Sequence, residues 1–155
     1  ALVGEIREFY DGLIVLSGSI ANGDAVLAAQ AMGADLAYMG TRFIATTEAN
    51  ASDDYKNGIT QASASDVIYT NLFTGVHGNY LRESIVKAGL DPDHLPEADK
   101  SKMNFGSGGN SAAKAWKDIW GVGQGVAVID EVLPTAELVN QLEAEYQAAR
   151  ARLAL

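Results

Sequence analysis

The chain has 155 residues, 48% of them apolar, with mean hydropathy near zero, which is the profile of an ordinary globular domain rather than a disordered chain. Twenty acidic residues against eleven basic ones give a formal charge of −9, and no Lys/Arg cluster offers the surface that nucleic-acid binding requires. The absence of Cys removes disulfides, thiolate nucleophiles and Cys-based zinc sites, and two separated His residues do not make a metal site, so no metal is expected.

Residues 2–10 place Val3, Ile6 and Phe9 or Tyr10 at helical spacing, and Asp11-Gly12 stops that helix. The run Leu13-Ile14-Val15-Leu16 then reads as a buried strand ending in Ser17-Gly18-Ser19. Asp24 is placed to cap a small-residue helix from Ala25 to Met32, which Gly33 closes. A second strand, Asp35 to Met39, ends at Gly40-Thr41-Arg42. The segment between the strands is long enough for a right-handed crossover, so residues 13–42 read as one βαβ unit with parallel strands.

From Glu48 onward the pattern shifts to short amphipathic segments between Gly, Pro, Asn and Asp, with helices expected near Asp53–Ala64 and Asn79–Ala88. This suggests an inserted, mainly helical subdomain over residues 48–133. Residues 89–110 read as loop, helical spacing resumes near Ala112–Trp120, and a last helix follows Pro134. In that helix Thr135 is expected to cap, and Leu138, Leu142, Tyr146, Ala149 and Leu153 line one face. The division expected is therefore a βαβ unit over 1–47, the insertion over 48–133 and a C-terminal helix over 134–155.

No apolar run approaches the roughly 20 residues that cross a bilayer, and no signal peptide is visible, so a soluble, cytoplasmic protein is expected. Two parallel strands leave their outer edges unpaired, so further strands are expected from elsewhere.

The two strand ends carry the chemistry. Parallel neighbours bring Ser17-Gly18-Ser19 and Gly40-Thr41 to one edge of the sheet, where both can touch one ligand. Gly18 permits close backbone approach, the hydroxyls of Ser17, Ser19 and Thr41 can donate, and the N-termini of the following helices can add N–H groups and dipole, which suits a phosphate dianion. Ordinary βα turns would have the same spacing. In (β/α)₈ barrels phosphate is often held by the loops after strands 7 and 8, where these turns fall if this chain carries the last two strands.

The run from Leu16 to Gly23 (LSGSIANG), then Ala28 to Asp35 (AAQAMGAD), Tyr38 to Phe43 (YMGTRF) and Thr46-Thr47-Glu48 resembles the FMN-phosphate region of nitronate monooxygenases, the 2-nitropropane dioxygenase family. Thr70 to Gly75, Ala115 to Trp120 and Gly123-Gln124-Gly125 are similar to later segments of that family, so the resemblance covers nearly the whole chain. It implies an α/β fold that is the C-terminal portion of a TIM-type (β/α)₈ barrel. It also implies an FMN cofactor contacted by Ser17, Gly18, Ser19, Gly40 and Thr41, with Gly40 close enough that a side chain would obstruct binding. Ser19 departs from the family, which often has a second Gly there, and its Cβ restricts positive-φ geometry.

The activity implied is oxidation of an alkyl nitronate with dioxygen. The family's catalytic His lies in a segment preceding this region and nothing here matches it. The chain alone is thus expected to be inactive, with a missing N-terminal barrel segment supplied by the same precursor or a separate chain. Another FMN barrel enzyme such as an enoyl reductase, or a non-catalytic phosphate-binding piece, are the competing readings.

Other features have plainer explanations. His77 could act as a base but reads as a loop His, and His94 sits in an acidic loop. Residues 121–125 (GVGQG) lack the last Gly of a dinucleotide turn and read as a helix or tight turn. Trp116 and Trp120, four apart, read as core before pocket. Asp91, Asp93, Glu97 and Asp99 lack the Gly and closing Glu of a calcium loop.

Overall fold

The computed structural model describes residues 2–97 and 118–154. Helix α1 (Leu2–Arg7) leads into β1 (Val15–Ser17), α2 (Gly23–Ala31) and β2 (Leu36–Tyr38). The two strands pair in parallel, with Val15 opposite Leu36, Leu16 opposite Ala37 and Ser17 opposite Tyr38. Ile14, Ile20, Ala29 and Ala34 are buried together, with Ile6, Leu16, Val26 and Ala37 packed against them, so α2 covers one face of this sheet.

Helix α2 is capped by Asn22, whose side chain accepts from the N–H of Ala25 at 2.9 Å, and not by Asp24 as the sequence suggests. Asp24 instead lies in the first turn and pairs with Arg152. Gly33, at φ +99°, ends the crossover by adopting the left-handed conformation that glycine tolerates best. Arg7 ties the entry of the unit to its exit, donating to the carbonyls of Gly12 at 2.6 Å and Gly33 at 2.8 Å and pairing with Asp35 at 2.5 Å.

A four-residue helix α3 (Thr41–Ile44) follows β2, then α4 (Asp53–Gln61), capped by the Ser52 hydroxyl on the N–H of Tyr55. The expected helix at 79–88 is helical only from Arg82. Gly78–Leu81 is strand β4, antiparallel to β3 (Val67–Thr70) with Val67 opposite Leu81 and Thr70 opposite Gly78, and α5 (Arg82–Lys87) follows. Strand pairing overrides the local pattern there, because Tyr80 and Leu81 gain burial at 7% and 1% exposure in the extended form.

Residues 120–122 run alongside β4, with Leu81 N–H donating to the Trp120 carbonyl at 2.8 Å and Val122 N–H to the Asn79 carbonyl at 3.1 Å. A 3-10 turn (Gln124–Val128) comes next, so the helix or tight turn expected at 121–125 begins only at Gln124, after the extended residues 120–122. Trp120 is core: it packs with Ile59, Leu81, Val122 and Val126 and stacks on Tyr55 at 5.1 Å. Burial pushes the Tyr55 phenol up to about 12, so its hydroxyl stays protonated and donates to the Gly121 carbonyl.

Helix α6 (Thr135–Arg152) closes the chain against α2. Its N-cap position is Pro134, not Thr135; the N–H of Thr135 donates to the Glu48 carboxylate at 2.9 and 3.0 Å, so an acidic side chain from 87 residues away performs the capping. Leu138 and Ala149 are fully buried on the face that meets the domain, while Leu153, expected on that face, is exposed. Trp116, the Gly-rich run 106–109, Asp99 and most of the helix expected over Ala112–Trp120 lie outside the described residues.

Candidate functional site

The strand register puts the turns after β1 and β2 side by side. Ser17 ends β1 opposite Tyr38, and Gly40 comes two residues beyond Tyr38. Gly18 has φ +103° and Ser19 φ +57°, so two successive residues hold the left-handed half of backbone space. The sequence argument that a Cβ at 19 restricts such geometry is overridden: Ser19 adopts it nonetheless, at a cost that surrounding contacts must offset. Ser17, Gly18 and Ser19 are all exposed, and the N–H groups of Ser19 and Ile20 donate to no acceptor among the described residues. A β-carbon at Gly18 or at Gly40 would meet nothing within 4 Å. Packing within the described chain therefore does not require glycine at position 40, where φ is an ordinary −102°.

Two of the N–H groups at the start of α2 are already taken by side chains. The N–H of Gly23 donates to Glu145 of α6 at 2.7 Å and that of Ala25 to Asn22, so among the first-turn N–H groups it is that of Asp24 that has no acceptor among the described residues. At α3, the Thr41 hydroxyl accepts from the N–H of Gly123 at 2.9 Å, which leaves its own proton to be donated elsewhere. Arg42, next in sequence, turns away from the turns: it is buried and donates to the Glu131 carbonyl at 3.1 Å. Burial lowers its guanidinium from the ordinary value, partly offset by Glu131 and Asp130. An anion at these turns would thus be held by backbone N–H and hydroxyl donors.

Residues 121–125 reach the site, although sequence reasoning assigned them a helix or tight turn and a family resemblance but no place beside Ser19 or Thr41. Besides the Gly123 contact to Thr41, Gly125 abuts Ser19, and Gln124 accepts from Asn79 Nδ2 at 3.4 Å. The signal present in the sequence was the alternation of glycine at 121, 123 and 125, which marks close backbone approach.

Neither histidine is placed at the turns. His77 is exposed and stacks on Tyr69 at 4.7 Å. His94 is exposed too, with Nδ1 2.7 Å from Asp91, whose carboxylate raises the imidazole above its ordinary 6.5. Asp93 pairs with Arg82 at 2.9 Å, and no group of acidic or His side chains among the described residues could hold a metal. No helix among the described residues is long and apolar enough to cross a membrane.

The family model for nitronate monooxygenase matches residues 1–145. The chain belongs to the nitronate monooxygenase family. It is 33% identical over 138 residues to the nitronate monooxygenase of Paraburkholderia phytofirmans, covering 85% of this chain and 37% of that protein. A probable nitronate monooxygenase of Staphylococcus saprophyticus is 33% identical over 85 residues, 54% of this chain and 24% of its own. Among solved structures, nitroalkane oxidase from Streptomyces ansochromogenes superposes with a TM-score of 0.72 at 30% identity, over 98% of this chain and 44% of that one. FabK from Thermotoga maritima superposes with a TM-score of 0.70 over 99% of this chain and 50% of that one; at 23% identity this likeness speaks for the α/β fold alone. The chain thus spans half or less of the length of these nitronate monooxygenase relatives and structural neighbours.

Proposed function

We propose that this chain supplies the FMN-phosphate-binding part of an FMN-dependent nitronate monooxygenase, as the last two strands of a (β/α)₈ barrel. The observation that carries the reading is the pair of exposed turns at the ends of adjacent parallel strands, with successive positive-φ residues at Gly18 and Ser19, in a chain of this family. The phosphate would be held by the N–H groups of Ser19 and Ile20 and by the hydroxyls of Ser17, Ser19 and Thr41, the last already oriented by Gly123. Gly40 leaves room for a ligand to approach the backbone.

When bound, FMN accepts electrons from the nitronate and passes them to dioxygen. The chain's own residues bind and orient; neither His77, stacked on Tyr69, nor His94, paired with Asp91, is placed to hold a proton at the turns. The base is assigned to barrel segments outside this chain.

The sheet supports the barrel assignment. Its face away from α2 presents Val15, Leu36 and Tyr38, 49%, 53% and 63% exposed, with Leu13 just before β1 60% exposed, an apolar layer of the kind that fills a barrel interior.

Gly40→Val tests the assignment. A β-carbon at this position meets nothing within 4 Å and φ is an ordinary −102°, so the variant should fold yet lose bound flavin absorbance. Flavin retained at wild-type occupancy would sink the proposal. Oxidation of a reduced nicotinamide with an enoyl substrate, in place of oxygen uptake with an alkyl nitronate, would move the protein to the enoyl reductases.

A further inference from the structure

We infer that the segment Gly123-Gln124-Gly125 is a positioning element that holds both ligand-binding turns in their working geometry, one through each glycine. This rests on the phosphate-site reading above. At the second turn, the Gly123 N–H donates to Thr41 Oγ1 at 2.9 Å. A hydroxyl that accepts a fixed hydrogen bond has one lone pair committed, so its proton points into a narrower range of directions and is available as a donor.

At the first turn, Gly125 lies against Ser19 and Ala21. A β-carbon at 125 would sit 3.2 Å from the Ser19 carbonyl carbon, 3.3 Å from its oxygen and 3.1 Å from Ala21 Cβ, so a neighbour would have to give by a few tenths of an ångström. Which neighbour gives is decided by anchoring. Ala21 is 3% exposed and lies in the main core, and Val126, beside Gly125, is wholly buried in that same core. Ser19 is exposed, carries φ +57° and has no hydrogen bond at its N–H among the described residues, so it is the part that moves. A methyl at 125 therefore shifts the donors of the first turn while the core stays packed.

The test is titration of the flavin-stripped full protein with FMN and, separately, with riboflavin, which has the same ring but no phosphate. The wild type should prefer FMN. Gly125→Ala should weaken FMN by about tenfold, the loss of roughly one charge-assisted hydrogen bond, while riboflavin affinity and the thermal midpoint stay near wild type. Unchanged FMN affinity, or equal weakening for both flavins, would overturn the inference and leave the phosphate reading intact. A wild type that binds both flavins equally would end the phosphate reading and this inference together. If Gly125→Ala folds poorly, Gly123→Pro, which deletes the N–H on Thr41, is judged by the same two outcomes.

Discussion

Gly23 and Tyr146 mark the point where α2 and α6 cross: a β-carbon on Gly23 would sit 2.2 Å from the Tyr146 backbone nitrogen and 2.5 Å from the Leu142 carbonyl oxygen. Both obstructing atoms belong to helical backbone and cannot rotate aside. Glu145 reaches across the same point to accept from the Gly23 N–H, and the Tyr146 hydroxyl donates to Gln30 at 2.5 Å. Gly23→Ala must push the helices apart and break these bonds, so it should cost about 2–3 kcal/mol, the upper part of the range for overpacking. A urea midpoint within error of wild type would show that the crossing is looser than described.

Ser19→Gly should act in the opposite direction. Relief of a left-handed residue is worth roughly 1–2 kcal/mol, and the extra freedom glycine gives the unfolded chain takes back about half of that. A net gain of about 0.5–1 kcal/mol in denaturant unfolding is expected from these terms. Destabilisation instead would mean that the Ser19 side chain makes contacts worth more than its backbone cost.

Glu48 should make the junction of α6 acid-sensitive. Hydrogen bonds from the Thr47 hydroxyl, then from the Thr135 N–H, pull its carboxyl from 4.5 down to about 2. A folded value below the unfolded one stabilises the fold fully above about pH 4.5 and progressively less as pH falls through about 2. Stability of wild type and Glu48→Gln should therefore differ at pH 6 and converge toward pH 2. A constant difference across that range would remove Glu48 as the titrating group.

Residues 1–155 expressed alone should associate or recruit other chains and should consume no oxygen with an alkyl nitronate. The apolar face at Val15, Leu36 and Tyr38 favours burial against further strands, and neither histidine stands at the turns after β1 and β2. Size-exclusion chromatography and oxygen uptake check both halves; steady turnover by a folded monomer would return His77 to consideration as the base.

The βαβ unit was legible because its signals are local. A β-branched run, a polar turn, a small-residue helix ending at Gly33 and a second strand specify β1, α2 and β2 to within two residues, and the parallel pairing follows from crossover length. Family membership was legible for the same reason, since the motifs around Ser17 and Gly40 are contiguous in sequence. Long-range contacts decided the rest. Residues 79–81 have a pattern that suits a helix, and only pairing with β3 on one side and residues 120–122 on the other makes them strand. Asn22 rather than Asp24 caps α2, because the helix begins at Gly23, whose N–H is held by Glu145 of the distant α6, and Asp24 then falls inside the first turn. No local pattern could announce that Glu48 caps α6, that Gly23 is the seat of a helix crossing, or that Gly123 and Gly125 rest on Thr41 and Ser19, because each depends on where a distant backbone passes. Hydrophobic period and turn chemistry act over a few residues, whereas caps, close approaches and the aim of a hydroxyl are set by whichever segment the packed chain brings alongside.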